Sequence, residues 1–258
     1  MSWKDLFPRE GRFFETERGI LYRGEAIETM GNFPGQIFDA IITDPPYGVT
    51  DFRWDSVIPF PEMWGELKRI RKDRTAILIF GSEPFSSQLR LSNLREFKYD
   101  WYWKKSRKTN FPNAKRQPLR NVEIISVFYR RQPAYNPQGL KPCKVLHKEK
   151  KYKMNEGGFK KRSLGTRYIQ RYANYPTQMI EFKSPLAICH PTQKPLPLLE
   201  YLIKTYTNEG DLILDFTAGS GTTLVAAEKF NRRWIGIELE EKYCEIAVKR
   251  LKELGVDN

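Results

Sequence analysis

Short apolar runs recur along the chain, and their periods separate strands from helices. Ile37-Phe38-Asp39-Ala40-Ile41-Ile42-Thr43 and Thr75-Ala76-Ile77-Leu78-Ile79-Phe80 are apolar in near-continuous runs, the pattern of strands covered on both faces. Between them, the segment Met63 to Ile70 has helical spacing. Towards the other end, Leu198, Leu199, Leu202, Ile203 and Tyr206 form an apolar stripe on one helix face. Strand Leu212-Ile213-Leu214, a helix from Thr223 to Phe230, strand Trp234 to Ile237 and a last helix through Leu251 follow. Alternation of this kind predicts an α/β fold, Rossmann-like and doubly wound, with a mostly parallel sheet. Ligands of such sheets sit at the carboxyl ends of the strands.

A middle stretch breaks the texture. From Lys104 to Lys183 only Ile124 to Tyr129 reads as a strand, and the segment from about Gln132 to Lys183 reads as a loop-rich insertion. The predicted organisation is residues 1–130 as one half of the domain, 131–185 as the insertion and 186–258 as the other half.

Charge sharpens this picture. The chain carries +13 overall, while Lys104 to Lys183 holds 21 Lys and Arg against 4 Asp and Glu, so this one segment supplies the entire positive excess. Each basic side chain near a phosphate releases condensed counterions, which makes nucleic acid the partner that the asymmetry predicts. A basic face kept for solubility is the bland alternative. With 258 residues, 40% of them hydrophobic and 14% aromatic, the chain is long and apolar enough for a proper core. No run approaches the roughly 18 apolar residues of a membrane span, so a cytoplasmic protein with no membrane partner is expected. Three scattered cysteines and only two histidines, His147 and His190, argue against a disulfide framework or a multi-histidine metal site.

Two constellations carry candidate chemistry. Strand Leu212 to Leu214 runs into Asp215-Phe216-Thr217-Ala218-Gly219-Ser220-Gly221-Thr222-Thr223 and then a helix. Glycines there let the backbone turn tightly against a ligand, and free N–H groups at the helix start face it. Glu238 ends the next strand, 23 residues after Asp215, where a nucleoside-binding fold puts an acceptor for ribose hydroxyls. The turn lacks a lysine after its last glycine and a third glycine, so S-adenosylmethionine (SAM) fits better than ATP or NAD. The second constellation is Asp44-Pro45-Pro46-Tyr47, at the end of strand Ile37 to Thr43. Two prolines stiffen the loop and remove two donors, leaving the Asp44 carboxylate and the Pro45 carbonyl as acceptors suited to an exocyclic amine. Tyr47 offers a face on which an extruded base could stack. A proline-stiffened strand exit with an aromatic plug would read alike.

Asp44-Pro45-Pro46-Tyr47, then His190-Pro191-Thr192-Gln193-Lys194-Pro195 before a helix, then Gly219-Ser220-Gly221 occur in an order that resembles the β-group of SAM-dependent DNA amino-methyltransferases. The resemblance covers Ile20 to Leu251. It implies a seven-stranded sheet with a target-recognition insertion, SAM as methyl donor, double-stranded DNA as partner, and base flipping beside Asp44 and Tyr47. Asp rather than Ser at position 44 implies adenine N6 as the target. The stretch from Lys104 to Arg120, with Arg107, Lys108, Asn110 and Arg116, is implied to lie near the flipped base, and Lys160, Lys161 and Arg162 of the insertion are expected on the DNA backbone. His190 and Lys194 are expected at the helix entry that closes the cofactor site, and Glu238 on the ribose. A homodimer and a cognate restriction enzyme are further partners the resemblance allows. Cytosine N4 transfer and a non-catalytic DNA-binding protein stay open as alternatives. The chain departs from the family at Phe216 and Thr217, which stand where Pro and Phe are usual, and at Val122, where relatives often carry His before Glu.

Overall fold

The computed structural model describes residues 2–48, 56–147, 168–185 and 193–255. Two compact units emerge, Met1–Asn136 with Gln178–Asn258, and Pro137–Thr177. The larger unit begins with β1 (Arg12–Glu15), β2 (Gly19–Arg23), α1 (Ala26–Gly31), β3 (Phe38–Thr43), α2 (Phe60–Ile70), β4 (Arg71–Gly81), α3 (Phe85–Ser92), β5 (Phe97–Thr109) and β6 (Arg120–Phe128). The smaller unit holds β7 (Lys141–His147) and β8 (Tyr168–Ala173), paired antiparallel. The larger unit resumes with β9 (Met179–Phe182), α4 (Leu196–Tyr206), β10 (Leu212–Asp215), α5 (Thr222–Lys229), β11 (Arg233–Glu238) and α6 (Glu241–Lys252).

Its strands form one nine-stranded sheet in the order β1-β2-β11-β10-β3-β4-β6-β5-β9. Only β1 and β6 run against the common direction. The seven strands from β2 to β5 make the expected doubly wound body, and β1 and β9 widen its two edges. Alternation along the central strands sorts the core. Ile41, Ile77, Ile79, Leu214 and Ile237 join Met30, Met63, Leu67 and Leu89 of α1, α2 and α3. Their neighbours Ala40, Ile42, Ala76, Leu78 and Ile213 join Leu202, Leu224 and Leu251 of α4, α5 and α6. A strand that is apolar at every position is thus one whose two faces both meet helices. The α4 stripe is buried throughout, each leucine contributing about 1.5–3 kcal/mol of transfer free energy.

Two differences from the sequence reading concern the middle of the chain. β5 is a long strand whose second half, from Lys104, carries Lys, Ser, Arg and Thr; it holds its conformation by pairing with β6, not by burying an apolar face. The insertion is also narrower than expected. Met179–Phe182 joins the main sheet through Tyr102↔Met179 and Lys105↔Phe182, so the separate unit ends at Thr177. In the described residues no helix is long and apolar enough to cross a membrane.

The site's place follows from the sheet order. β10 and β3 lie side by side, with Leu214 opposite Ile41. From β10 the chain crosses over α5 to β11 on one flank, and from β3 it crosses over α2 to β4 on the other, with α5 and α2 on opposite faces. That is a topological switch point, where a crevice opens beyond the strands' carboxyl ends.

Candidate functional site

A cavity of about 780 Å³ opens at this switch point. Asp44, Pro45, Pro46 and Tyr47 line one side; Asp215, Phe216, Thr217, Gly219, Ser220, Thr222, Thr223 and Glu238 line another. Both motifs leave adjacent parallel strands at the same end, so loops far apart in sequence face one space. Thr43 and Thr217, 174 residues apart, join their hydroxyls at 2.6 Å.

On the glycine side, Gly221 adopts a left-handed backbone at φ +73 and caps α5. A Cβ on it would sit 2.7 Å from the Ala247 Cβ of α6. Gly221 therefore seats the turn against α6 and is absent from the cavity lining, unlike its neighbours. Arg250 of α6 grips the turn from behind, donating to the Ser220 carbonyl at 2.6 Å, to Ser220 Oγ at 3.0 Å and to Thr222 Oγ1 at 2.9 Å. The side chains of Ser220 and Thr222 are thus engaged structurally. Glu238 accepts from the Gly219 N–H at 2.7 Å and the Glu240 N–H at 2.8 Å. Burial raises its pKa against these bonds. Asp215 is buried and pushed up to about 6 by desolvation, which outweighs hydrogen bonds from Thr223, Thr43 and the Thr217 backbone. Phe216 is buried in the core beneath the cavity, and Thr217 bonds Thr43, so both departures from the family pattern have structural work.

The other side is a buried ionic cluster. Asp44 accepts from the Tyr47 hydroxyl through Oδ1 and from Lys194 Nζ through Oδ2. Lys194 Nζ also stands 2.9 Å from Glu123 Oε1, and Lys105 Nζ stands 3.3 Å from Glu123 Oε2. The Lys194 side chain is only 9% exposed, and its ammonium lies 5.3 Å from the Phe80 ring centroid. Burial lowers the Lys194 pKa, but Asp44 and Glu123 outweigh it and raise the value above the usual lysine range. For Asp44 burial dominates and raises the pKa, with Lys194 opposing and Glu123 adding. Glu123 is held low, because Lys194 and Lys105 overcome its desolvation. The Tyr47 phenol is raised well above its ordinary value by burial and by both carboxylates.

Sequence reasoning grouped Lys194 with the cofactor turn, whereas the structure joins it to Asp44. It placed Lys105 only within the stretch expected near the flipped base, gave Glu123 no role, and did not pair the two. A signal existed: a carboxylate directly ahead of the apolar run Ile124-Ile125 is buried only when a cation meets it. Glu25 borders the cavity while its side chain caps α1 at the Glu28 N–H, 2.7 Å away.

The expected DNA contacts divide. On β5, Trp103, Lys105, Arg107 and Thr109 alternate along the cavity wall. Lys104, on the other face, pairs with Glu181 of β9 at 2.7 Å. Lys108, Arg116 and Arg120 are exposed on the arm that β5 and β6 form. Asn110 turns that arm at φ +73 and accepts from Asn113 Nδ2 at 2.8 Å, so its side chain faces inward. Trp101 and Trp103 are buried, donating to the Tyr206 hydroxyl and the Phe182 carbonyl. His190, Lys160, Lys161 and Arg162 lie outside the described residues.

Comparison with known proteins matches a family described as DNA methylase to residues 38–249. The Type II methyltransferase M.BamHI of Bacillus amyloliquefaciens is 27% identical over 261 residues, covering 95% of this chain; the chain spans 60% of that protein's length. The structure of the M1.HpyAVI–SAM complex superposes with a TM-score of 0.63 at 28% identity, covering 90% of this chain and 98% of that one. The PvuII DNA methyltransferase, described as cytosine-N4-specific, shares the fold at a TM-score of 0.71 and 17% identity, covering 94% of this chain and 89% of its own.

Proposed function

The chain belongs to the DNA methylase family matched over residues 38–249, and from that premise we propose that it transfers a methyl group from SAM to the N6 amine of adenine in double-stranded DNA. One observation carries the reading: the acceptor-rich Asp44 corner and the Gly219 turn line the same cavity.

The residues present suit the cofactor. The space of about 780 Å³ takes a nucleoside with its amino-acid tail. Glu238, already oriented by two backbone N–H groups, keeps lone pairs for the ribose hydroxyls. When bound, SAM supplies an electrophilic methyl on a sulfonium. Everything else falls to the chain. Asp44 and the Pro45 carbonyl accept the two N6 hydrogens of an extruded adenine, which favours a pyramidal nitrogen whose lone pair is withdrawn from the ring. Tyr47 holds the Asp44 carboxylate in place and borders the base's seat. The methylated amine must shed a proton, and Asp44, whose affinity for one is raised by burial, is the acceptor in reach. Exposed Lys108, Arg116 and Arg120 on the β5–β6 arm provide phosphate contacts.

Asp44→Ala tests the mechanism. Methyl incorporation into unmodified plasmid DNA is expected to vanish while SAM affinity, measured by calorimetry, stays within about threefold. Unchanged turnover would refute the role of Asp44. Nucleoside analysis of DNA methylated by the parent is expected to yield N6-methyladenine; N4-methylcytosine would overturn the choice of base.

A further inference from the structure

Each oxygen of Asp44 already accepts one donor, so an entering amine has to compete for the carboxylate with the groups that hold it. Its Oδ2 accepts from Lys194, and its Oδ1 accepts from the Tyr47 hydroxyl. Lys194 therefore sits on the acceptor that the proposed reaction needs. The same ammonium has a second carboxylate 2.9 Å away, Glu123 Oε1. Glu123 is itself anchored from its far side by Lys105, 3.3 Å from Oε2, and is buried at 8% exposure. Its charge is thus maintained where that of an isolated buried carboxylate would be lost.

We propose that Lys194 is an exchangeable plug on Asp44 and that Glu123 is its alternative seat: an entering amine displaces the ammonium from Asp44 Oδ2, and Lys194 shifts fully onto Glu123. The exchange rests on the reading of Asp44 as the amine acceptor. It leaves neither buried carboxylate without a hydrogen-bond donor at any stage. Before entry Lys194 bridges two carboxylates; after entry Glu123 carries Lys194 and Lys105 while one N–H of the substrate's amine donates to Asp44 and the other to the Pro45 carbonyl. A buried cation without a second carboxylate would have to leave its partner unpaired, a move too costly to accompany base entry. Glu123 and Lys194 are positioning residues, acting on the substrate through Asp44. The arrangement also favours amine-bearing bases, since only a group with hydrogens to donate replaces what the ammonium gave.

A double-mutant cycle on the full chain tests this, with tritiated methyl transfer into plasmid DNA as the readout. Glu123→Gln removes the alternative seat and keeps the shape. It is expected to lower kcat/KM for DNA by roughly 10- to 100-fold, the range of one charge-assisted hydrogen bond, with SAM affinity within about threefold of the parent. Adding Lys194→Met to Glu123→Gln empties Asp44 Oδ2 and is expected to recover at least tenfold of the loss. Lys194→Met alone leaves two carboxylates facing each other, so the acidic limb of its pH–rate profile moves upward. A double variant as impaired as the product of the two single losses, or worse, overturns the exchange. So does a Glu123→Gln variant with parental kcat/KM. Thermal unfolding of all three variants separates a folding defect from the kinetic effect. Should Asp44→Ala retain turnover, the reading of Asp44 falls first; should it be inactive while the cycle is additive, only the plug falls.

Discussion

Replacing Gly221 by alanine asks how much of the cofactor turn is held by close packing on α6. The residue sits at φ +73, where an L side chain costs about 1–2 kcal/mol. The added Cβ would lie 2.7 Å from the Ala247 Cβ and 3.2 Å from its Cα, neither of which is the free end of a flexible side chain. Helix α6 must therefore give way, and overpacking of this kind costs about 1–3 kcal/mol. Together the expected loss is about 3 kcal/mol, which in a chain of this size lowers Tm by roughly 6–12 °C. Thermal unfolding of parent and variant without SAM measures the first effect. SAM titration calorimetry measures the second, because the displaced turn carries the Gly219 N–H that orients Glu238. A partner substitution, Ala247→Gly, divides the cost: against an Ala247→Gly background, which itself loses about 1 kcal/mol for a glycine inside α6, Gly221→Ala should be relieved of the packing share and keep about 1–2 kcal/mol of torsional cost. A Tm within about 1 °C of the parent would refute the seating of the turn on α6. A lower Tm with unchanged SAM affinity would refute its link to the cofactor.

Two further outcomes follow from the same geometry. The native state keeps the Asp215 proton up to about pH 6, against an ordinary value of 3.8; the folded chain therefore binds more protons than the unfolded one in that window, and stability falls as pH rises from about 4 to 6. Asp215→Asn lacks this titration, so the stability of the parent relative to the variant should decline across the window and level off above it, and a difference independent of pH would contradict the burial of an ionisable Asp215. Changing Lys108, Arg116 and Arg120 together to alanine should reduce the slope of log affinity for duplex DNA against log salt by about 2–3, near one unit per phosphate contact; a parental slope would remove the β5–β6 arm from the DNA interface.

How legible the site was depended on where each residue finds its partner. The Asp44 corner and the Gly219 turn were readable because their geometry is local: prolines fix the first, and glycine, strand and helix follow one another in the second. α4 was readable because its stripe depends only on helical spacing, and all five stripe residues are buried. The second half of β5 was not, since an arm with polar residues on both faces takes its conformation from β6 across the register Lys104↔Val122 and Thr109↔Arg120. β9 likewise takes its identity from β5, so the short Met179–Phe182, only four residues long, read as insertion. Glu123 was hidden for a different reason. Its meaning lies in Lys194 and Lys105, brought to it by a strand pairing and by the entry to a helix more than 70 residues later.

The sheet order explains how such distant pieces meet. β3 and β10 come from opposite ends of the chain and pair in parallel, so the residues that follow them leave the sheet together. β6, running the other way beyond β4, enters the sheet at that same end and brings Glu123 there near its start, with Ile124 opposite Gly81. Antiparallel insertion of this one strand supplies the second carboxylate beside Asp44: were β6 parallel to its neighbours, its first residues would lie at the opposite end of the strands, away from the cavity. The exchange proposed for Lys194 is thus a consequence of strand direction, and Glu123→Gln probes the topology and the chemistry through one side chain.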